Sequence, residues 1–232
     1  MIITDYVDIH SHLLPNIDDG SKSIGDTLNL INELKKIGVN EFIATPHVMD
    51  QVWENSKPKI EENHKNTLLE LQNADVHNTF RVAAEYMLDD SFRKLFLNES
   101  LLTLKDNYVL VEMSYINAPL QLYDIIFDLQ VAGYIPVLAH PERYNFYHES
   151  FDEYKKLKKA GCLFQLNLLS TVGYYGPSVA KTADDLLKNS LIDFVGSDVH
   201  HSKHVDFFNK KIVLKNLDPL KEAIQNNSFF KS

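Results

Sequence analysis

The stretch Leu120–Arg143, LQLYDIIFDLQVAGYIPVLAHPER, contains the unit whose repetition decides the fold. A helical segment stops at Gly133, a short apolar strand follows, and a polar residue, His140, stands at the strand's end. The same unit recurs on either side. SIGDTLNLINELKKIG opens with Ser23 as an N-cap, stops at Gly38 and leads into EFIATPH. FDEYKKLKKAG stops at Gly161 before CLFQLNLLS, and AKTADDLLKNS precedes LIDFVGSDVH. Between them lie FRVAAEYM and NYVLVEMSY, each preceded by a segment of helical character.

This reading gives seven strands, near 6–10, 41–46, 80–86, 108–114, 135–140, 163–169 and 192–198. Strands that are apolar throughout and alternate with helices predict a parallel sheet covered on both faces. The choice between an open sheet and a barrel turns on the strand ends, which carry His10/His12, His47, Glu85, Glu112, His140, Asn167 and Asp198/His200. An open sheet gathers such groups at one switch point, whereas a barrel uses every C-terminal strand end. The expectation is therefore an α/β, TIM-like (β/α)7 barrel with its active site at the C-terminal ends of the strands. No linker or low-complexity stretch interrupts residues 1–232, which read as a single domain.

In the segment Asp8–Gly20, DIHSHLLPNIDDG, His10 and His12 stand two apart, so a strand turns both to one face. Glu85 and Glu112 are lone carboxylates in hydrophobic strands, where an ionised group is costly unless it is paired or binds a metal. Nine candidates collect at strand ends or just beyond: His10, His12, Asp19, His47, Glu85, Glu112, His140, Asp198 and His200. They exceed the roughly four ligands that one zinc ion takes, and point to two or three metals sharing a bridging carboxylate. The remaining histidines, His64, His77, His148, His201 and His204, read as surface or loop residues, with His201 and His204 near enough in sequence to the last motif to stay candidates.

Composition narrows the class. The chain is 44% hydrophobic and 24% charged, as in an ordinary globular protein, and its net charge of −9 opposes non-specific nucleic-acid binding. A single cysteine, Cys162, forbids an intrachain disulfide and fits a reducing compartment. The start MIITDYVDIH reads as no signal peptide, and no apolar run reaches the ~18 residues of a membrane span, so a cytoplasmic location is expected. A cysteine phosphatase needs Cys-x5-Arg; six residues after Cys162 stands Leu168, which excludes that mechanism. Neither a P-loop nor a G-x-G-x-x-G occurs.

Taken in order, DIHSHLLPNIDDG, ATPH, AAEYM, LVEMS, LAHPERY and GSDVH resemble the motifs of the polymerase-and-histidinol-phosphatase (PHP) superfamily. More narrowly, they are similar to those of the metal-dependent bacterial protein-tyrosine phosphatases of the CpsB/CapC type, linked to capsule and exopolysaccharide synthesis. The resemblance implies a distorted (β/α)7 barrel holding three divalent ions, most often manganese, with iron or zinc as alternatives. By motif, His10, His12, Glu85 and Asp198 would hold the first ion. Glu85 would bridge to a second with Glu112 and His140, while Asp19, His47 and His200 would hold the third. Arg143 would correspond to the family's phosphate-binding arginine. A second arginine common after the final Asp-x-His is absent from SDVHHSKHVDFF, where Lys203 or His204 would have to stand in. The implied substrate is a phosphotyrosine protein, the tail of a bacterial tyrosine kinase.

The chemistry follows from the residues as well. Close divalent ions would lower the pKa of a shared water and draw charge off the phosphoryl oxygens, so attack on phosphorus by a metal-bridged hydroxide is the expected chemistry. Arg143 offers a bidentate clamp, with a simple salt bridge to Glu142 or a neighbour as its bland alternative. His204, His201 or water would protonate the leaving group. Ser11 and Ser197 are turned away from the metals by strand alternation. Tyr86, Tyr115, Tyr144, Tyr174 and Tyr175 are candidates for an aromatic slot around a phosphotyrosine ring. The alternatives are a histidinol-phosphate or other small-molecule phosphatase, a PHP-type nuclease, and a binding module without turnover. An amidohydrolase ranks lower, since that group commonly places a bridging lysine where this chain has Glu112.

Overall fold

The structure, a computed structural model, describes residues 6–232; the leader reading at the extreme N-terminus thus falls partly on residues outside it. In chain order the strands are β1 (Tyr6–Ser11), β2 (Val39–Ala44), β3 (His47–Val48), β4 (Thr79–Val82), β5 (Glu85–Met87), β6 (Tyr108–Glu112), β7 (Ile135–Ala139), β8 (Leu163–Asn167) and β9 (Phe194–Gly196). The longer helices between them are α1 (Ile24–Lys36), α2 (Lys57–Asn73), α3 (Asp90–Asn98), α4 (Leu122–Val131), α5 (Asp152–Lys159) and, after the single turn Leu168–Thr171, α6 (Pro177–Lys188). Ser23 caps α1 by accepting the Asp26 amide, as its sequence predicts. Gly38, Gly133 and Gly161 follow α1, α4 and α5 at φ of 102°, 92° and 90°, the left-handed region that ends a helix cheaply only with glycine.

Every strand pair is parallel, in a three-stranded sheet β1-β2-β4 and a six-stranded sheet β3-β5-β6-β7-β8-β9. The expected second strand, 41–46, ends at Ala44 with the short β3 beyond it, and the expected third, 80–86, is broken in two. Pro46 has no amide to give the ladder, and it separates β2 from β3. Pairing nevertheless carries across the break, since the Ala83 amide donates to the Ala44 carbonyl and the Glu85 amide to the Pro46 carbonyl. The first and last strands also approach: Ser11 forms a parallel bridge with Val199, and the Asp198 amide donates to the His10 carbonyl at 2.8 Å. The fold is thus mixed α/β with parallel sheets.

Two hydrophobic clusters divide the strand residues between them. The larger joins Phe42, Val109, Val111, Leu138, Phe164 and Leu166 to helical Leu30, Ile31, Ile125, Leu129 and Leu186. The smaller holds Val7, Ile9, Ile43, Leu110, Val137, Ala139 and Phe194, with Phe230 from the C-terminus. Glu112 and Gln165 alternate with residues of the larger cluster, so strand periodicity turns them to the opposite face. Polar side chains therefore line one end of the face that is apolar lower down. Among the described residues no helix is long and apolar enough to cross a membrane.

Candidate metal centre and phosphate site

Three backbone departures aim the ligands. On β1 the register shifts between Asp8 and Ser11, where three steps oppose two on β2, as at a bulge. Val7 and Ile9 lie in the smaller cluster, yet His10 still reaches Glu85 at 3.2 Å. His140 and Asp198 adopt left-handed conformations at φ of 36° and 51°, which for residues without glycine's freedom is backbone strain held in place by surrounding structure.

At the floor, the Nε2 atoms of His10 and His12 face each other at 3.3 Å. Each lies 3.4 Å from Asp198 Oδ1, and they lie 3.2 and 3.5 Å from Glu85 Oε2. Behind them the Nδ1 atoms are held, His10 by Gln165 Oε1 at 2.6 Å and His12 by Asp18 Oδ2 at 2.8 Å. An acceptor behind Nδ1 places the ring proton there and leaves Nε2 with a lone pair facing its neighbours, the tautomer a metal requires. His47 Nδ1 lies 3.1 Å from Glu85 and 2.9 Å from Glu112, and His140 Nε2 lies 3.1 Å from Glu85. Asp19 Oδ1 lies 3.5 Å from His47 and 3.4 Å from His200.

All nine sequence candidates thus converge, and they form four overlapping groups able to hold a metal ion: His12, Asp19, His47 and His200; His10, Glu85 and His140; His10, His12 and Asp198; His47, Glu85 and Glu112. His47 thereby faces Glu85 and Glu112 as well as Asp19 and His200. The donor set, imidazoles with carboxylates, suits transition metals. Buried Glu85 Oε2, Glu112 Oε1, His47 Nδ1 and His140 Nδ1 have no hydrogen-bond partner, a cost that a bound cation would remove at the first three.

The electrostatics agree. Burial alone would raise Glu85 and Asp198, but His10 and the imidazoles beside them hold both carboxyls well below the usual range. Burial likewise opposes charge on His12, yet Asp18, Asp198 and Glu85 lift its imidazole well above its ordinary value. His47 rises to about 10 against burial and the His12 charge, through Glu85 and Glu112. A field that would protonate several buried rings is the field that a divalent cation would occupy in their place.

Backbone packing seats this floor tightly. A Cβ on Gly20 would stand 2.2 Å from the His12 carbonyl oxygen, and one on Gly196 would stand 2.6 Å from the His10 Cβ. Asp8 accepts from the amide and hydroxyl of Ser197, holding the loop that carries Asp198. Burial pushes the Asp8 carboxyl up to about 6 despite those bonds. Ser11 Oγ donates to the Ile43 carbonyl, so both serines are structural contacts, as expected.

Above the floor is a cavity of about 820 Å³ whose lining includes His47, Glu112, His140, Arg143, Asp198 and His200. Arg143 donates from Nη1 to Asp198 Oδ2 at 2.8 Å, and its guanidinium lies 4.6 Å from the Tyr115 ring and 4.1 Å from the Tyr175 ring. Glu142 points elsewhere, accepting from the Asn167 amide and the Ser170 hydroxyl, so the salt bridge to Arg143 does not form. Asn167 donates to Asp198 at 2.7 Å.

Several expectations need correction. Tyr86 and Tyr144 are buried structural residues: the Tyr86 hydroxyl accepts the Leu102 amide, while that of Tyr144 accepts from Met113 and donates to the Ala139 carbonyl. Tyr115, Tyr174 and Tyr175 do line the cavity. His204 is buried, not a surface residue: Nδ1 accepts the His200 amide and Nε2 faces the Tyr174 hydroxyl at 3.1 Å. Burial, then His201 and His200, lower its imidazole to about 4. Lys203 is exposed and outside the cavity lining. The sequence reading omitted Asp18, Gln165 and Asp8. Gln165 carries the signal that found the glutamates, a lone polar residue in an apolar strand.

Known proteins are similar to this chain in sequence and fold. The profile described as "Capsular polysaccharide synthesis, CpsB/CapC" matches residues 6–206. The tyrosine-protein phosphatase YwqE of Bacillus subtilis is 30% identical over 202 residues, covering 87% of this chain and 80% of its own. The Staphylococcus aureus protein CapC is 28% identical over 209 residues, 89% of this chain and 81% of its own. A solved structure from work on YwqE and on CpsB of Streptococcus pneumoniae, described as metal-dependent tyrosine phosphatases, superposes with a TM-score of 0.82 at 27% identity, over 97% of this chain and 90% of that one. The histidinol phosphate phosphatase of Lactococcus lactis shares the fold at a TM-score of 0.57 and 12% identity, over 95% of this chain and 94% of that one. With its profile matched from the first described strand to beyond the last ligand motif, this chain belongs to the CpsB/CapC family of capsular polysaccharide synthesis.

Proposed function

We propose that this chain is a metal-dependent protein-tyrosine phosphatase that removes phosphate from the tail of a tyrosine kinase in capsule or exopolysaccharide synthesis. The observation that carries the reading is the pair of facing imidazoles, His10 and His12, tethered from behind and opposed by Glu85 and Asp198 beneath the stacked Arg143. The names of the relatives, tyrosine phosphatases acting with metals, support it.

We assign His10, His12, Glu85 and Asp198 to one ion, Glu85, Glu112 and His140 to a second, and Asp19, His47 and His200 to a third, with manganese as the native metal. Bound divalent ions supply an activated water at neutral pH and withdraw charge from the phosphoryl oxygens. The chain's own residues do the rest. Arg143, charged and stacked, presents the remaining donors of its fork to oxygens that gain charge in the transition state. Tyr115 and Tyr175 hold that fork and wall the space for an aromatic ring. With both nitrogens engaged, His204 orients Tyr174 and the His200 backbone. A phenolate leaves readily, so little is asked of a general acid. The parallel bridge between Ser11 and Val199 supports reading the sheets as one distorted (β/α)7 barrel; we further propose a single domain over 1–232, working in the cytoplasm.

The test is hydrolysis of a phosphotyrosine peptide beside histidinol phosphate, with manganese and with chelator, using His140→Ala as control. Manganese-dependent release from the peptide, lost in the variant, is the expected result. Preference for histidinol phosphate would replace the substrate and keep the site. No release from either, with metal bound, would overturn the phosphatase reading.

A further inference from the structure

Beside the catalytic cavity lies a second, of about 300 Å³, between the segment after β3 and helix α3. Met49, Trp53 and Asp89 line both, so the two are neighbours across one wall. The proposed reaction on a phosphotyrosine leaves this second cavity unused. Its floor is apolar and aromatic, with Trp53, Tyr86 and Phe92, the last two stacked at 5.1 Å.

Its charge is one-sided. Asp50, Glu54, Asp89 and Glu99 line it against one cation, Lys57, whose ammonium is already bonded to the carbonyl and hydroxyl of Ser100. Asp50 accepts from Ser91, and Asp89 caps α3 through the Phe92 amide. The carboxylates of Glu54 and Glu99 have no ion pair or hydrogen bond among the described residues. Asn55 is buried in the same wall; its amide nitrogen donates to Ile17 and His47 carbonyls, while Oδ1 has no partner. An aromatic floor, exposed carboxylates and an unused acceptor suit a long cationic side chain, whose methylenes cover the rings while its head meets the acids.

We propose that this cavity is a specificity subsite for a lysine or arginine close to the phosphotyrosine in the substrate polypeptide. The proposal rests on the tyrosine-phosphatase reading and goes beyond it by naming sequence context. The shared wall limits the basic residue to the phosphotyrosine's near neighbours, and the site excludes acidic residues there by like charge.

The manganese-loaded enzyme tests it with phosphotyrosine peptides carrying lysine, norleucine or glutamate at each of the two positions on either side, beside a small aryl phosphate. At one position lysine should raise kcat/KM about five- to tenfold over norleucine, mainly through KM, the scale of an ion pair reinforced by a cation–π contact. The double variant Glu54→Gln/Glu99→Gln should erase that preference and leave the aryl phosphate unaffected; both side chains are exposed and outside the catalytic lining. Trp53, the chain's single tryptophan, gives a second readout: its fluorescence should change more on binding the lysine peptide than the norleucine peptide. Equal kcat/KM for lysine and norleucine at every position would overturn the subsite alone. Loss of all peptide activity with aryl phosphate still hydrolysed would overturn the tyrosine-phosphatase reading and the subsite with it.

Discussion

His10 and His12, on the cavity floor, are fully buried, and each has its rear nitrogen held by a buried side chain. At the rim the Asp19 side chain is 55% exposed, Tyr115 is 44% exposed, and the Arg143 side chain 20%. The difference is one of over-determination. Floor groups are locked by packing, second-layer bonds and glycines that admit no Cβ, so their geometry is set before any ligand arrives. Rim groups have fewer constraints. On the proposed assignments, metal binding would rest mainly on the floor, and the hold on the phosphate ester on Arg143 and the tyrosines of the rim.

The sharpest way to break that division is at Glu85, which lies against four separate histidines. Glu85→Gln should lower turnover of every phosphate ester by about a thousandfold or more, with fewer metal ions retained by mass spectrometry. Equal loss in KM alone would place Glu85 in the rim's class. One layer back, Gln165→Ala and Asp18→Ala should each weaken metal affinity or activity by about 10–100-fold, read by metal titration. An unchanged titration would show that the rear nitrogens need no tether.

At the rim, Arg143→Lys keeps the charge and discards the planar fork and its stacking between Tyr115 and Tyr175. It should lower kcat/KM for phosphotyrosine peptide about tenfold, with part of the loss in kcat, while metal content stays at its normal level. Metal loss on that change would tie the rim to the floor through Asp198. The smallest effect belongs to Cys162, buried in the larger core. Burial pushes its thiol up to about 12, so it remains protonated at neutral pH. Cys162→Ser should leave kcat unchanged, and the folded protein should resist thiol reagents; inactivation by either would overturn a cysteine-free mechanism.

Much of this was legible because buried polar residues are costly. A histidine or glutamate ending an apolar strand must be satisfied by something, and the candidates at the strand ends converge with those from the loops just beyond, Asp19 among them. Helix stops at Gly38, Gly133 and Gly161 were legible for the same kind of reason, since few other residues tolerate those φ values. The partners that satisfy the ligands were harder to see. Asp18 and Gln165 were not singled out, because a tether behind a ligand has no spacing signature of its own.

The sequence by itself determined which side chains meet and the alternating parallel architecture that brings them together, because both follow from periodicity and from the cost of burying charge. Only the tertiary structure decided how they are aimed. The shifted register on β1, the left-handed His140 and Asp198, and the break at Pro46 each depart from regular strand geometry where a ligand must turn. Such departures are held by long-range contacts, among them the Asp198 amide on the His10 carbonyl and Gln165 behind His10, that join residues far apart in the chain. Local propensity has no access to them, and they become visible once first strand and last stand side by side.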